Sequence, residues 1–295
     1  MSRSVVLVMV AALLWGTTGT AAFFLGADVS PLAIGAATMG FGGLVLAVLG
    51  GSASAQVLVY SKGRLWLVLG VVGVMIYPLT FYWGMSLAGI ALGNLVALGL
   101  GPLAVAALEW LVDKSAPSVR WRIAVGIAVV GVVIMSVGKV ELGGDRVSNV
   151  SAGVALAVAA GLSYGLYTYA FGRLIDLGHT PRSVVGAVFG SASPVLLIVL
   201  MVTGAGLFAT PLQISLVAYL VLGPMVIAYL AFSRALLTLR SSSVATLALL
   251  EPVAAGALGF LIVGERLGPL ALVGGAFVLV SLVLVSREKS DRPGG

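Results

Sequence analysis

Ten apolar runs separated by short polar breaks dominate the chain. They cover Ser4–Phe24, Pro31–Gly50, Arg64–Met85, Ile90–Trp110, Val119–Val137, Val150–Arg173, Arg182–Thr203, Leu212–Ser233, Ser243–Gly264 and Pro269–Ser286. Each is close to the ~20 residues that carry a helix across a bilayer. The runs are continuous and do not alternate apolar with polar, which disfavours a closed β-barrel. Ser30-Pro31, Thr180-Pro181, Thr210-Pro211 and Gly268-Pro269 place proline at helix starts, where its missing N–H is no loss. Ser2 and Arg3 before the first run resemble the start of a signal peptide. However, the uncharged stretch from Ser4 to Ala27 is 24 residues long and no small-x-small cleavage site follows, so it is expected to remain as a span. The pattern predicts an all-α integral membrane protein with ten transmembrane helices.

Composition agrees. Hydrophobic residues make up 60% of the 295 and charged residues 9%. Soluble domains carry about 25% charged residues. A soluble fold and a disordered chain are both excluded. With no cysteine and one histidine, thiolate metal sites, disulfides and iron–sulfur clusters are ruled out, and no cofactor is expected. The net charge of +6 is spread singly between apolar runs, without the basic stripe that would suggest nucleic acid.

The placement of those charges predicts orientation. With the N-terminus inside, thirteen of the sixteen Lys and Arg fall on one side: Arg3, Lys62, Arg64, Lys114, Arg120, Arg122, Arg173, Arg182, Arg234, Arg240, Arg287, Lys289 and Arg292. Lys139, Arg146 and Arg266 fall on the other. The positive-inside rule then puts both termini in the cytoplasm.

The chain also repeats. Leu98-Gly-Leu-Gly-Pro-Leu-Ala-Val-Ala-Ala-Leu108 matches Ala248-Leu-Leu-Glu-Pro-Val-Ala-Ala-Gly-Ala-Leu258 at an offset of 150. Asp113-Lys114 resembles Glu265-Arg266 just beyond. The expected organisation is a first five-helix repeat over residues 1–140, a linker at 141–149, a second repeat over 150–286 and a disordered tail at 287–295. Five spans per copy force the second copy to enter from the opposite face. Inverted repeats are typical of secondary transporters, whose substrates sit near the midplane between the copies.

These features resemble a known family. Ten spans in two halves, Trp15-Gly16 in the first helix, Leu250-Glu251-Pro252, and Val263-Gly264-Glu265-Arg266-Leu267 before the last helix are similar to the drug/metabolite transporter superfamily. The closest type is its ten-helix EamA-like metabolite exporters, in particular those for aromatic and other neutral amino acids. The resemblance implies a secondary exporter working by alternating access around a midplane cavity. A multidrug or nucleotide-sugar carrier of the same superfamily is the alternative. The first helix lacks the acid of the small multidrug exporters, and the spans lack basic residues to meet phosphate.

Candidate site residues follow from polarity within the spans. Glu251 lies ~12 Å into its helix, where a carboxylate is costly and functional by default. It is a candidate proton carrier or substrate contact, or else a brace for the helix break at Pro252. Tyr77, Tyr82, Ser163, Tyr164, Tyr167 and Tyr229 supply hydroxyls, mostly on aromatic rings, which suit a small amphipathic solute. Tyr164 and Tyr167 share a helix face. Trp15, Thr18 and Asn94 complete the expected lining. Pro78, Pro102, Pro224 and Pro252 are candidate gates or hinges, because each leaves a backbone carbonyl without its donor. Glu109 reads as a snorkelling acid beside an interfacial Trp110, Trp66 and Trp121 as interface aromatics, and His179 as a solvated loop residue. Gly161/Gly165 and Gly186/Gly190 predict close helix packing. One loop histidine and spans without aspartate argue against an intramembrane enzyme. No ring of repeated polar groups suggests a pore. The expected partners are a small-molecule substrate, the bilayer and, as a candidate coupling ion, protons. The expected state is a monomer or weak dimer.

Overall fold

A computed structural model describes residues 2–26, 28–140, 149–264 and 268–287, all of whose regular structure is helical. The helices are α1 Arg3–Leu25, α2 Pro31–Val59, α3 Arg64–Ala88, α4 Ile90–Asp113, α5 Val119–Val140, α6 Val150–Asp176, α7 Pro181–Thr203, α8 Pro211–Ala235, α9 Ser241–Val263 and α10 Pro269–Ser286. Among the described residues nine are long and apolar enough to cross a membrane, and α5 adds a helix of 22 residues. The chain is an integral multi-pass membrane protein. The linker at 141–148, the Glu265-Arg266 pair and the tail at 288–295 lie outside the described residues.

The helices alternate in direction. Side-chain bonds at their ends show this: Thr238 Oγ1 to Ser4 Oγ joins the end of α8 to the start of α1. Gln213 Nε2 to the Leu25 carbonyl joins the start of α8 to the end of α1. Arg173 and Arg240 therefore lie on the same face as the ends of α2, α4 and α10, called the basic face below.

The two copies interlock. The strongest pairings all cross between halves: α2 with α7, α3 with α6, α5 with α10, α4 with α6, and α1 with both α8 and α9. Advancing each helix by five maps this set onto itself. The α3–α6 pair becomes α8–α1 and the α4–α6 pair becomes α9–α1. That invariance is the signature of a pseudo-dyad relating inverted copies. It holds at atomic detail. A methyl added at Gly165 would fall 2.5 Å from Ala104 Cβ, and one added at Gly16 would fall 2.6 Å from Ala254 Cβ. Ala104 and Ala254 are repeat mates, so Trp15-Gly16 is the counterpart of Tyr164-Gly165. The small residues act as expected: they let backbones meet where lipid offers no hydrophobic drive.

Three departures from the sequence expectation have physical causes. α2 does not stop at Gly50; it kinks at Gly51, whose φ of 55° suits glycine, and runs on to Val59. α8 widens into a π-helical turn over Val221–Ile227 around Pro224. α9 breaks at Ala248–Leu249. Pro252 has no N–H for the Ala248 carbonyl four residues back, and the Glu251 N–H takes that carbonyl at 2.9 Å instead. Its repeat mate Pro102 sits inside an unbroken α4.

Candidate functional site

Where α1, α3, α6, α7 and α8 meet, aromatic rings form one continuous cluster. Tyr167 on α6 and Tyr229 on α8 share a hydrogen bond, 2.9 Å between hydroxyls. The Tyr229 ring lies 4.5 Å from Phe189 and 5.1 Å from Trp15. Tyr77 lies 5.7 Å from Tyr167 and 6.0 Å from Tyr164, and stacks on Phe81 at 5.3 Å. Tyr82 packs on Gly35 of α2 and edge-on against Phe81.

Trp15 is fixed by the chain defect opposite it. In the π-turn of α8 the Ala228 N–H bonds the Gly223 carbonyl and skips that of Pro224. The Trp15 indole N–H takes the freed carbonyl at 2.8 Å. A broken helix thus becomes a ring-orienting contact.

Glu251 begins the second half of α9, in the first turn of Leu250–Leu258, where the helix dipole favours a negative charge. It is half-buried. Its charge is within electrostatic reach of the phenols of Tyr77, Tyr82, Tyr164 and Tyr229. Seven of the expected residues are therefore brought together: Trp15, Tyr77, Tyr82, Tyr164, Tyr167, Tyr229 and Glu251. Thr18 and Asn94 are half-buried on the flanking helices α1 and α4, and Ser163 is buried with its carbonyl toward Gly73. These three are outside the ring contacts.

Sequence reasoning missed Phe81, Phe171, Phe189 and Phe232, which complete the cluster. Three carried a signal, since Phe81, Phe171 and Phe232 fall three or four residues after Tyr77, Tyr167 and Tyr229.

A second polar group occupies the basic face, and here the expectations are corrected. Glu109 does not snorkel; it is 5% exposed and accepts from Arg240 at 3.0 Å, the Ser242 N–H at 3.0 Å and the Ser242 hydroxyl at 2.7 Å. It thereby caps the start of α9 from a neighbouring helix. Asp113 pairs with Arg173 at 2.8 Å, and that guanidinium lies over Trp66, 5.7 Å from the ring centre. Trp121 is buried, not interfacial, because it packs between α4 and α5 on Ala106 and Val125. His179 is half-buried edge-on against Tyr60 at 4.9 Å. Burial holds its imidazole below the ordinary 6.5.

An inverted ten-helix bundle with a polar aromatic centre defines a membrane transporter. The sequence matches the EamA-like transporter family over residues 2–137 and again over 151–287, and the chain belongs to that family. It is 30% identical to "Uncharacterized transporter YwfM" of Bacillus subtilis (strain 168) over 281 residues, 95% of this chain and 92% of that one. An "Uncharacterized transporter" of Archaeoglobus fulgidus is 24% identical over 192 residues, 65% of each chain. One solved crystal structure superposes with a TM-score of 0.80 over 97% of both chains at 20% identity, a likeness of fold.

Proposed function

We propose that this transporter is a secondary exporter of small organic metabolites, with aromatic and other neutral amino acids as its substrate class. It alternates access around the aromatic cluster, sits in the bacterial inner membrane with both termini cytoplasmic, and acts as a monomer or weak dimer. The observation that carries the substrate class is the chemistry of the cluster. Rings and hydroxyls offer stacking and hydrogen bonds. The Trp15 face and the Glu251 carboxylate both attract an ammonium group. The lining named above contains no Lys or Arg, which disfavours phosphorylated solutes. The charge asymmetry of the sequence supports the orientation.

Proteoliposomes loaded with labelled L-phenylalanine, L-threonine or a nucleotide sugar test the proposal. Protein-dependent release of the amino acids, and not of the nucleotide sugar, is expected. No accelerated release of any amino acid would overturn it. Glu251→Gln then separates proton coupling from binding. A carrier role predicts loss of the pH dependence of release, and an unchanged pH profile in a folded variant removes it.

A further inference from the structure

At the basic face the ends of α4, α6 and α9 enclose a polar cavity of about 370 Å³, lined by Glu109, Asp113, Arg173, Asp176, Arg240 and Ser115 among others. Ligand pockets start at ~300 Å³. The lining pairs guanidinium groups with carboxylates: Arg240 with Glu109 and Arg173 with Asp113. These pairs also hold the halves together. α4 packs against Ser241–Leu247 of α9, and beyond the break α9 turns to α1 and α10. At the basic face the ends of α4, α6 and α9 are therefore tied together by a few charged contacts.

We propose that this cavity is a loading site for zwitterionic solutes, whose two charged ends displace the ion pairs that close the face. The α-carboxylate goes to Arg173 and Arg240, which can grip it with two parallel bonds. The α-ammonium goes to Glu109 and Asp113. The two guanidiniums then share the ligand carboxylate and the two carboxylates share its ammonium, so each group keeps an opposite charge beside it. A solute with one charge would leave an unpaired buried ion, which is strongly penalised. The site thus selects for carrying both charges, while the aromatic cluster selects the side chain. The inference rests on the amino-acid reading above and adds where the solute first binds.

The chain has no cysteine, so Ser115→Cys places a single thiol at the cavity wall. Its labelling by a charged maleimide is timed from the basic face in oriented membrane vesicles, with L-phenylalanine, phenethylamine or phenylpropionate present. L-phenylalanine at ten times its dissociation constant is expected to slow labelling about tenfold, the 1 + [L]/Kd of an occupied site. The amine and the acid, each lacking one charge, are expected to leave the rate unchanged. Ser241→Cys, also on the cavity wall, gives the same readout if Ser115→Cys does not fold. Protection by either one-charged compound equal to that of L-phenylalanine overturns the proposal, as does no protection by any. Release of labelled L-phenylalanine is followed in the same vesicles. Release without protection removes the loading site and leaves the exporter standing. Protection without release supports the site and counts against export.

Discussion

Gly16 and Gly165 are the contact points of the two copies, and one methyl at either should be felt. An alanine Cβ at position 165 would lie 2.5 Å from Ala104 Cβ and 3.1 Å from the Val105 nitrogen. Carbon atoms prefer a separation of ~3.5–4.0 Å, so α6 must back away from α4 by about 1 Å. Overpacking of this kind costs ~1–3 kcal/mol. Replacing a helical glycine by alanine returns ~0.5–1 kcal/mol. The net expectation is a loss of about 1–2 kcal/mol for Gly165→Ala. Gly16→Ala should lose the same, since its methyl meets Ala254 Cβ at 2.6 Å and the Ala255 nitrogen at 3.0 Å. Gly99 and Gly126 are the controls: nothing lies within 4 Å of an added methyl at either. Gly99→Ala and Gly126→Ala should match or exceed the parent by up to about 1 kcal/mol. Denaturation in mixed detergent micelles, with thermal melting as a second readout, measures the four variants side by side. Transport should fall in the first pair as well, because each glycine follows an aromatic ring of the central cluster. Gly16→Ala and Gly165→Ala as stable as the controls would refute the tight-contact geometry. A large difference between them would refute the equivalence of the two copies.

Further outcomes are expected from single contacts. Glu109→Gln keeps a hydrogen-bond acceptor for Ser242 but leaves Arg240 without its charge partner, and should cost about 1.5–3 kcal/mol in the same denaturation assay. Trp15→Phe removes the bond to the Pro224 carbonyl and should cost about 1 kcal/mol in the same denaturation assay. The folded state keeps His179 neutral below pH 6.5, where the unfolded chain takes up a proton. Stability should therefore be greatest above pH 6.5 and fall as pH drops toward the folded-state pKa. His179→Gln should flatten that part of a melting-temperature profile, and an unchanged slope would show that the imidazole titrates normally.

Much of the fold was legible because lipid simplifies the physics. A bilayer admits only helices or closed barrels, so run length and continuity were enough to count the spans. The offset of 150 between the two proline segments located the copies, and Ala104 and Ala254 do occupy matched contacts. Less was legible where a residue's role depends on a distant partner. Glu109 looked like an interfacial acid because nothing local to α4 reveals that Arg240 and Ser242 arrive beside it from α9. Trp121 looked interfacial because its neighbours Arg120 and Arg122 face water while the ring between them turns inward. The apolar run ended at Gly50 on paper, yet the φ of Gly51 allows a second helical stretch to follow. The central cluster fell between these cases. Tyrosine hydroxyls inside spans flagged half of it, and the phenylalanines that hold those rings in place carry no polar mark.

The departures from repeat symmetry bear most directly on mechanism. Inverted copies generate two access states by exchanging conformations, and perfect copies would make those states equal in energy. Here the charged residues repeat only in part. At the offset of 150, Glu251 corresponds to Gly101, Glu109 to Gly259 and Arg240 to Ile90, while Asp113 keeps an acidic counterpart in Glu265 two residues further on. The helix break follows the same rule, with α9 broken beside Pro252 and α4 continuous through Pro102. The face closed by Glu109, Asp113, Arg173 and Arg240 is held by charge-assisted bonds. Exchange of the two conformations would place Gly259 and Ile90 in the roles of Glu109 and Arg240, and neither residue type can form a charge-assisted bond. The Arg240–Glu109 bond, with Glu109 buried, is charge-assisted and stronger than a neutral contact, so the two closures are expected to differ in strength. Under the proposed loading, a solute that substitutes for these charges weakens the closure of the basic face alone. Under the proposed function, loading from the basic face is then expected to be favoured through Glu109 and Arg240, one from each copy, whose repeat counterparts Gly259 and Ile90 carry no charge.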